Sequence, residues 1–301
     1  MPASPPSAPF GRVLTAMVTP FTPVGALDLD GAARLASHLV DHGNDGLVVS
    51  GTTGESPTTS DSEKEQLLRA VLEAVGDRAT VVAGVGTNDT HHTVELARSA
   101  EKTGAHALLV VTPYYNKPPQ DAMLAHFRAA ADATGLPTML YDIPGRTGTP
   151  IETETLLRLG EHDRIVAVKD AKGDLFAGAE VMAGTDLAYY SGDDALNLAW
   201  LCVGAGGVVS VVGHVAGERY AEMVTAVDAG DLARAREIDR ALLPVVRAVM
   251  TRRSQGAVTT KAALELAGVI GSRTVRGPLL DASDGLVAEL RGVLTAAGLT
   301  S

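Results

Sequence analysis

The run I-V-A-V-K, Ile165–Lys169, carries small and β-branched apolar residues and then ends on an amine. Such a run predicts a buried strand. A lysine at its end either snorkels along its aliphatic stem into water or sits in a pocket that strips water from it. The two settings give different chemistry. A free lysine titrates near about 10.4, so only a few in ten thousand are neutral and nucleophilic at pH 7. Burial that lowers the pKa by about three units leaves roughly a quarter to a third neutral. That amine can attack a carbonyl carbon and form a Schiff base. The residues that gather around Lys169 decide between the two settings.

Four other stretches stand at the ends of apolar runs and carry reactive side chains: G-T-T-G-E-S at 51–56, P-Y-Y-N-K-P-P at 113–119, Y-D-I-P-G-R-T-G at 141–148 and S-G-D-D at 191–194. Thr52 and Thr53 offer two hydroxyls beside several backbone N–H groups, which suits a carboxylate or phosphate; the same composition also makes an ordinary turn. Arg146 follows Pro144 and Gly145, so its backbone is held, and a bidentate grip on a carboxylate is its natural use. A surface ion pair is the plainer one. Tyr141 and Tyr115 are either a core ring and a surface ring or proton-transfer groups linked by hydroxyls. With these companions the pocket setting of Lys169 is the better reading, and Lys172, three residues on, is the weaker nucleophile. Asp193-Asp194 ahead of A-L-N-L-A-W predicts a helix N-terminus. His91 and His92 fall at an exposed helix start, and Arg252-Arg253 reads as a solvated pair. Cys202, in A-W-L-C-V-G, predicts a buried small apolar residue. No His, Cys, Asp or Glu set has metal-ligand spacing, so no metal is expected.

These residues need a scaffold that brings strand ends together. Eight short runs, continuous rather than alternating, predict strands covered on both faces: Val13–Val18, Gly46–Ser50, Thr80–Val85, Ala107–Thr112, Thr138–Ile143, Ile165–Lys169, Leu187–Ser191 and Gly207–Val212. Helix-period segments lie between them; one opens with Ser60 and Glu63 in capping-box spacing. Eightfold strand–helix alternation predicts an α/β fold, a (β/α)₈ TIM barrel, whose active site lies at the C-terminal strand ends. A doubly wound sheet is disfavoured, because T-P-F-T-P-V-G after the first strand is no dinucleotide loop. Helices are predicted over Ala216–Ala229, Leu232–Arg253, Val258–Ala267 and Gly285–Ala297. The division that follows is a disordered tail at 1–10, the barrel with its active site at 11–229, and a C-terminal helical domain at 230–301.

Bulk composition agrees with one large globular unit: 301 residues, 46% hydrophobic and 20% charged. A net charge of −11 argues against nucleic acid or an anionic membrane as the main partner. A single cysteine allows no disulfide within the chain, which fits a reducing compartment. The proline-rich start lacks the charged and apolar regions of a signal peptide, and no apolar run is long enough to span a bilayer. A soluble, cytoplasmic protein is expected.

Taken together, G-T-T-G-E-S, V-T-P-Y-Y-N-K-P, Y-D-I-P-G-R-T-G and V-K-D resemble the pyruvate-dependent class I aldolase family typified by dihydrodipicolinate synthase. The resemblance runs from about Gly11 to the end. It implies a lyase of the hydro-lyase type that needs no cofactor and condenses pyruvate with L-aspartate 4-semialdehyde, in diaminopimelate and lysine biosynthesis. It implies that Lys169 forms the Schiff base, that Tyr141 transfers protons there, and that Thr53 links Tyr141 to Tyr115 of a neighbouring subunit. Thr52 and Thr53, with the loop backbone, would hold the pyruvate carboxylate and Arg146 that of the aldehyde, with Gly192 and Val209 lining the pocket through backbone groups. A homotetramer, built as a dimer of dimers, is implied too. The alternative is a sister of the same family, a sugar-acid aldolase or an N-acetylneuraminate lyase-like enzyme; those lyases carry an apolar residue where Arg146 stands.

Two departures accompany the resemblance. Asp142 stands where many members have Asn, with no effect on chemistry expected. In the region matching the family's lysine feedback pocket, Ser56 and Asn88 match. His92, Asp61 and Lys64 replace a glutamate and two histidines, so the ammonium of lysine loses its acidic partner and meets a like charge. Weak or absent inhibition by lysine is expected.

Overall fold

The eight apolar runs fold as eight strands: β1 (Val13–Ala16), β2 (Gly46–Val49), β3 (Thr80–Gly84), β4 (Ala107–Val111), β5 (Thr138–Asp142), β6 (Ile165–Asp170), β7 (Ala188–Ser191) and β8 (Gly207–Ser210). In this computed structural model, which describes residues 6–251 and 253–300, they pair in parallel in sequence order, and β1 closes on β8. The architecture is therefore the (β/α)₈ barrel with C-terminal helices. The strand positions match the expected runs; the strands stop one to two residues earlier in several cases, and β6 extends one residue further, to Asp170.

Twelve helices occur among the described residues: α1 (Leu29–Asp41), α2 (Asp61–Val75), α3 (Thr90–Thr103), α4 (Gln120–Asp132), α5 (Pro144–Thr147), α6 (Thr153–Leu159), α7 (Leu175–Gly184), α8 (Asn197–Cys202), α9 (Gly213–Asp228), α10 (Leu232–Val249), α11 (Gly256–Leu266) and α12 (Asp284–Ala296). Side-chain caps set the starts of six of them. Ser60 accepts from Glu63 N while the Glu63 carboxylate accepts from Ser60 N, the capping box the sequence predicts. Asp28, Asp89, Asp174, Asp231 and Ser283 cap five other helices.

Two apolar layers hold the barrel. Outside the strands, residues such as Leu35, Val71, Phe127 and Trp200 fill the space under the helices. Inside, Leu14, Val48, Val82, Leu109, Met139, Ala167 and Val209 stack on one another, so the barrel is packed rather than hollow. At its N-terminal end Phe10 and Tyr190 close the floor: Tyr190 Oη accepts from Phe10 N at 3.2 Å and donates to Gly11 O at 3.0 Å. Phe10, assigned to the disordered tail by sequence, is thus core; residues 1–5 of that expected tail lie outside the described residues. A low-complexity Pro-rich prefix hid one aromatic ring with a socket.

Two smaller expectations change. Cys202 is exposed, not buried. It ends the six-residue α8, whose inward side is taken by Trp200 and Leu201, so the cysteine is left on the outside. Of Arg252-Arg253, Arg252 lies outside the described residues, and Arg253 pairs with Glu289 at 2.9 Å. The C-terminal helices α10–α12 form a second apolar cluster with α9. From there, residues 274–276 reach the loops after β1 and β2. Arg276 donates to Gly25 O and Thr58 O, grips Glu63 through two nitrogens, and stacks 4.2 Å from the Phe21 ring.

Candidate active site

Lys169 and Tyr141 are paired residues on adjacent strands, β6 and β5. Parallel register points both side chains to one side, and here that side is the barrel interior near its C-terminal mouth. Lys169 is 4% exposed. Its Nζ lies 4.1 Å from the centroid of the Tyr141 ring. Burial pushes the amine down to about 8; the Asp194 carboxylate acts against that fall and the Arg146 guanidinium adds to it. At pH 7 roughly a tenth of such an amine is neutral. Gly192, after β7, makes room for the lysine stem: a Cβ there would lie 2.9 Å from Lys169 Cγ and 3.0 Å from Asp170 O.

Burial also pushes the Tyr141 phenol up to about 12; the nearby Arg146 guanidinium and a hydrogen bond with the Thr52 hydroxyl oppose that rise. Thr52 thus stands beside Tyr141, and Thr53, which the resemblance puts in the relay, lines the same cavity. Two adjacent threonines on a loop cannot be told apart by pattern. Thr52, Thr53, Tyr141, Arg146, Lys169 and Gly192 all line one cavity of about 330 Å³. A second cavity of about 240 Å³ shares Thr52, Tyr141 and Arg146 and continues toward Tyr114 and Ser56.

Two expected site residues stand apart from that cavity. Val209 is buried in β8 among the interior side chains, and Val211, two residues on, reaches the wall instead. Tyr115 is 90% exposed, on a backbone with φ of +72°. The left-handed turn throws its ring outward, and Asn116 anchors the loop by donating to Asn88 O at 2.7 Å. Four non-glycine residues adopt this conformation among the described residues: Ser50, Glu55, Tyr115 and Lys117. All follow β2 or β4 at the mouth. Backbone strain of this kind gathers where function holds it.

Several contributors carry no local sequence signal. Gln255, at the start of α11, accepts a hydrogen bond from Arg146 Nη2 at 2.8 Å. It brings Met250, Pro278 and Leu279 with it as the cavity's outer wall. Asp193 behaves as expected, accepting from Ala195 N at a helical start. Asp194 does not: it is buried and accepts from Val211 N, Val212 N, Asn197 and Ser210 Oγ, which fixes the turn from β8 into α9. Asp142 is buried; burial pushes it up to about 6 against the pull of Lys172, whose ammonium lies 3.4 Å away. Lys172 is thereby spent on an ion pair. At the positions of the expected feedback pocket, His92 Nε2 lies 2.9 Å from Asp61 and Lys64 Nζ 3.8 Å from the same carboxylate.

The arrangement can bind a small anionic carbonyl compound on a desolvated amine, with a phenol and hydroxyl alongside and a guanidinium above. The family model described as dihydrodipicolinate synthetase matches residues 9–297. A Kineococcus radiotolerans protein named 4-hydroxy-tetrahydrodipicolinate synthase is 68% identical over 297 residues, 99% of this chain and 96% of that one. Among solved structures, a dihydrodipicolinate synthase from Bacillus anthracis has a TM-score of 0.92 at 41% identity, covering 95% of this chain and 98% of its own. One from Cyanidioschyzon merolae with lysine bound has a TM-score of 0.92 at 43% identity, covering 96% and 99%.

Proposed function

The chain belongs to the dihydrodipicolinate synthetase family, and from that premise we propose that it condenses pyruvate with L-aspartate 4-semialdehyde through a Schiff base on Lys169. The product is 4-hydroxy-tetrahydrodipicolinate, a precursor in diaminopimelate and lysine biosynthesis. The observation that carries the reading is a buried amine, lowered to about 8, 4.1 Å from the Tyr141 ring and in one cavity with Thr52 and Arg146.

The steps follow from those groups. The neutral Lys169 amine adds to the pyruvate carbonyl, and loss of one water gives a cationic imine. That cation is the electron sink: the methyl group loses a proton and the enamine forms. Its terminal carbon attacks the aldehyde carbon, and the aldehyde oxygen takes a proton to become a hydroxyl. The substrate's own amine then adds to the imine carbon and displaces Lys169, which closes the ring. One water leaves per turnover, which fits a carbon–oxygen lyase of the hydro-lyase type.

Tyr141 carries the proton traffic at the imine, with Thr52 as its hydroxyl partner. Thr53 and the backbone of the 51–56 loop hold the pyruvate carboxylate. Arg146, steadied by Gln255, holds the carboxylate of the aldehyde; this charge favours the synthase over sister aldolases with an apolar residue there. Tyr115 faces out of its own barrel, so it serves a site only if a second copy brings it there. A relay completed by Tyr115 of the partner subunit, in a dimer of dimers, accounts for an exposed and strained tyrosine. No described helix is long and apolar enough to cross a membrane, and small soluble substrates suit a cytoplasmic enzyme.

The test is turnover of pyruvate with L-aspartate 4-semialdehyde, in chelator, for the wild type beside Lys169→Ala. The wild type is expected to turn over and the variant to lose more than about a thousandfold in kcat. A wild type without turnover overturns the reading.

A further inference from the structure

Lys261, on α11, is 0% exposed. Its Nζ donates to Glu55 Oε1 and, at 2.9 Å, to Thr274 O, and it lies 4.1 Å from the Phe21 ring centroid. The other Glu55 oxygen accepts from Arg276 N at 2.8 Å. Every donor to this carboxylate comes from the C-terminal segment, yet Glu55 belongs to the loop after β2. The two threonines of the active site, Thr52 and Thr53, precede it by three and two residues.

Glu55 is 3% exposed and holds a left-handed backbone, φ +55° and ψ +38°. An L residue avoids that region unless something holds it there. At this position the loop folds back on itself: Glu55 N donates to Thr52 O at 3.1 Å and Ser56 N to Gly51 O at 3.3 Å. The direction of the Glu55 side chain is thus tied to the backbone path of Thr52 and Thr53. Burying two full charges is an inefficient way to fill space, since apolar residues of similar volume serve stability as well or better. What the pair supplies is a direction.

We propose that Glu55 and Lys261 are positioning residues for the pyruvate carboxylate site, setting the Thr52–Thr53 loop from α11 without touching substrate. The inference rests on the assignment of that loop to pyruvate. It gives the C-terminal helices a part in binding the first substrate, beyond the wall they provide through Gln255.

The experiment compares the wild type with the double variant Glu55→Gln/Lys261→Met, which removes both charges, keeps the volume and leaves no lone buried ion. Its melting temperature should stay close to that of the wild type. The KM for pyruvate should rise about tenfold, since small displacements of a positioned group have large effects, while the KM for the aldehyde stays within twofold. Borohydride trapping of pyruvate on Lys169 at saturating concentration should persist. An active double variant with a pyruvate KM within twofold of wild type overturns the inference. Should the double variant not fold, Glu55→Asp retains the charge but shortens the reach by one methylene; the same selective rise is expected and an unchanged pyruvate KM overturns the inference. The parallel wild type separates the two claims. Its inactivity overturns the assigned reaction and this inference together, whereas an active wild type beside an unchanged variant overturns this inference alone.

Discussion

Two lysines of this chain are withdrawn from water, and they have opposite surroundings. Lys261 is held by a carboxylate, a carbonyl oxygen and an aromatic face. Lys169 has the Tyr141 ring beside it, and among the described residues no group stands within hydrogen-bonding or ion-pairing distance of its Nζ. Burial lowers the pKa of both. For Lys261 the Glu55 carboxylate, which accepts from its Nζ, acts against that fall. For Lys169 the counter-charge, Asp194, is occupied with the backbone of the β8–α9 turn. Desolvation alone therefore does not make a nucleophile; withholding the partner does. The same residue type gives a strut behind the loop after β2 and a reagent inside the cavity.

The contrast predicts opposite responses to the same substitution. Lys261→Met takes the ammonium away from the buried Glu55 carboxylate and leaves it only the Arg276 N–H, which should destabilise the fold by about 3–5 kcal/mol in denaturant unfolding; a loss under about 1 kcal/mol would break the comparison. Lys169→Met should do the reverse and stabilise. A folded pKa of about 8 against an unfolded 10.5 penalises folding by on the order of 3 kcal/mol. The sign follows from proton binding: the unfolded chain holds this proton more tightly, so the penalty is present in full below about pH 8 and fades as pH climbs from there toward 10.5. The variant's gain should shrink over that same window, and a gain independent of pH would remove the desolvated amine from the account. The smallest effect concerns a third lysine. Lys64 is half-buried, its pKa lowered first by desolvation and raised in part by Asp61. It and His92 already occupy the Asp61 carboxylate. Free lysine at millimolar concentration should change turnover less than twofold; strong inhibition in the micromolar range would show that these charges can be drawn away from one another.

The sequence carried the barrel because each strand is a continuous apolar run covered on both faces, a local pattern with sharp ends at Gly, Pro and Asp. It carried Lys169, Tyr141 and Arg146 because each stands where such a run stops. What it hid is non-local or too short to have a period. Gln255 meets Arg146 across 109 positions and Lys261 meets Glu55 across 206, and no periodicity marks either pairing. The six residues of α8 span too few turns to show which side Cys202 takes. Thr52 and Thr53 differ only in the torsions of one loop. Asp194 looked like the cap that Asp193 is, since a repeated acid gives no sign that the second one turns inward.

The sealed floor made by Phe10 and Tyr190 bears on traffic. With that end shut, the passage to the buried Lys169 leads past the exposed Arg146 at the mouth. A keto acid bound for Lys169 and an aldehyde held at Arg146 would therefore share one entrance, the mouth that the C-terminal strand ends and Gln255 frame.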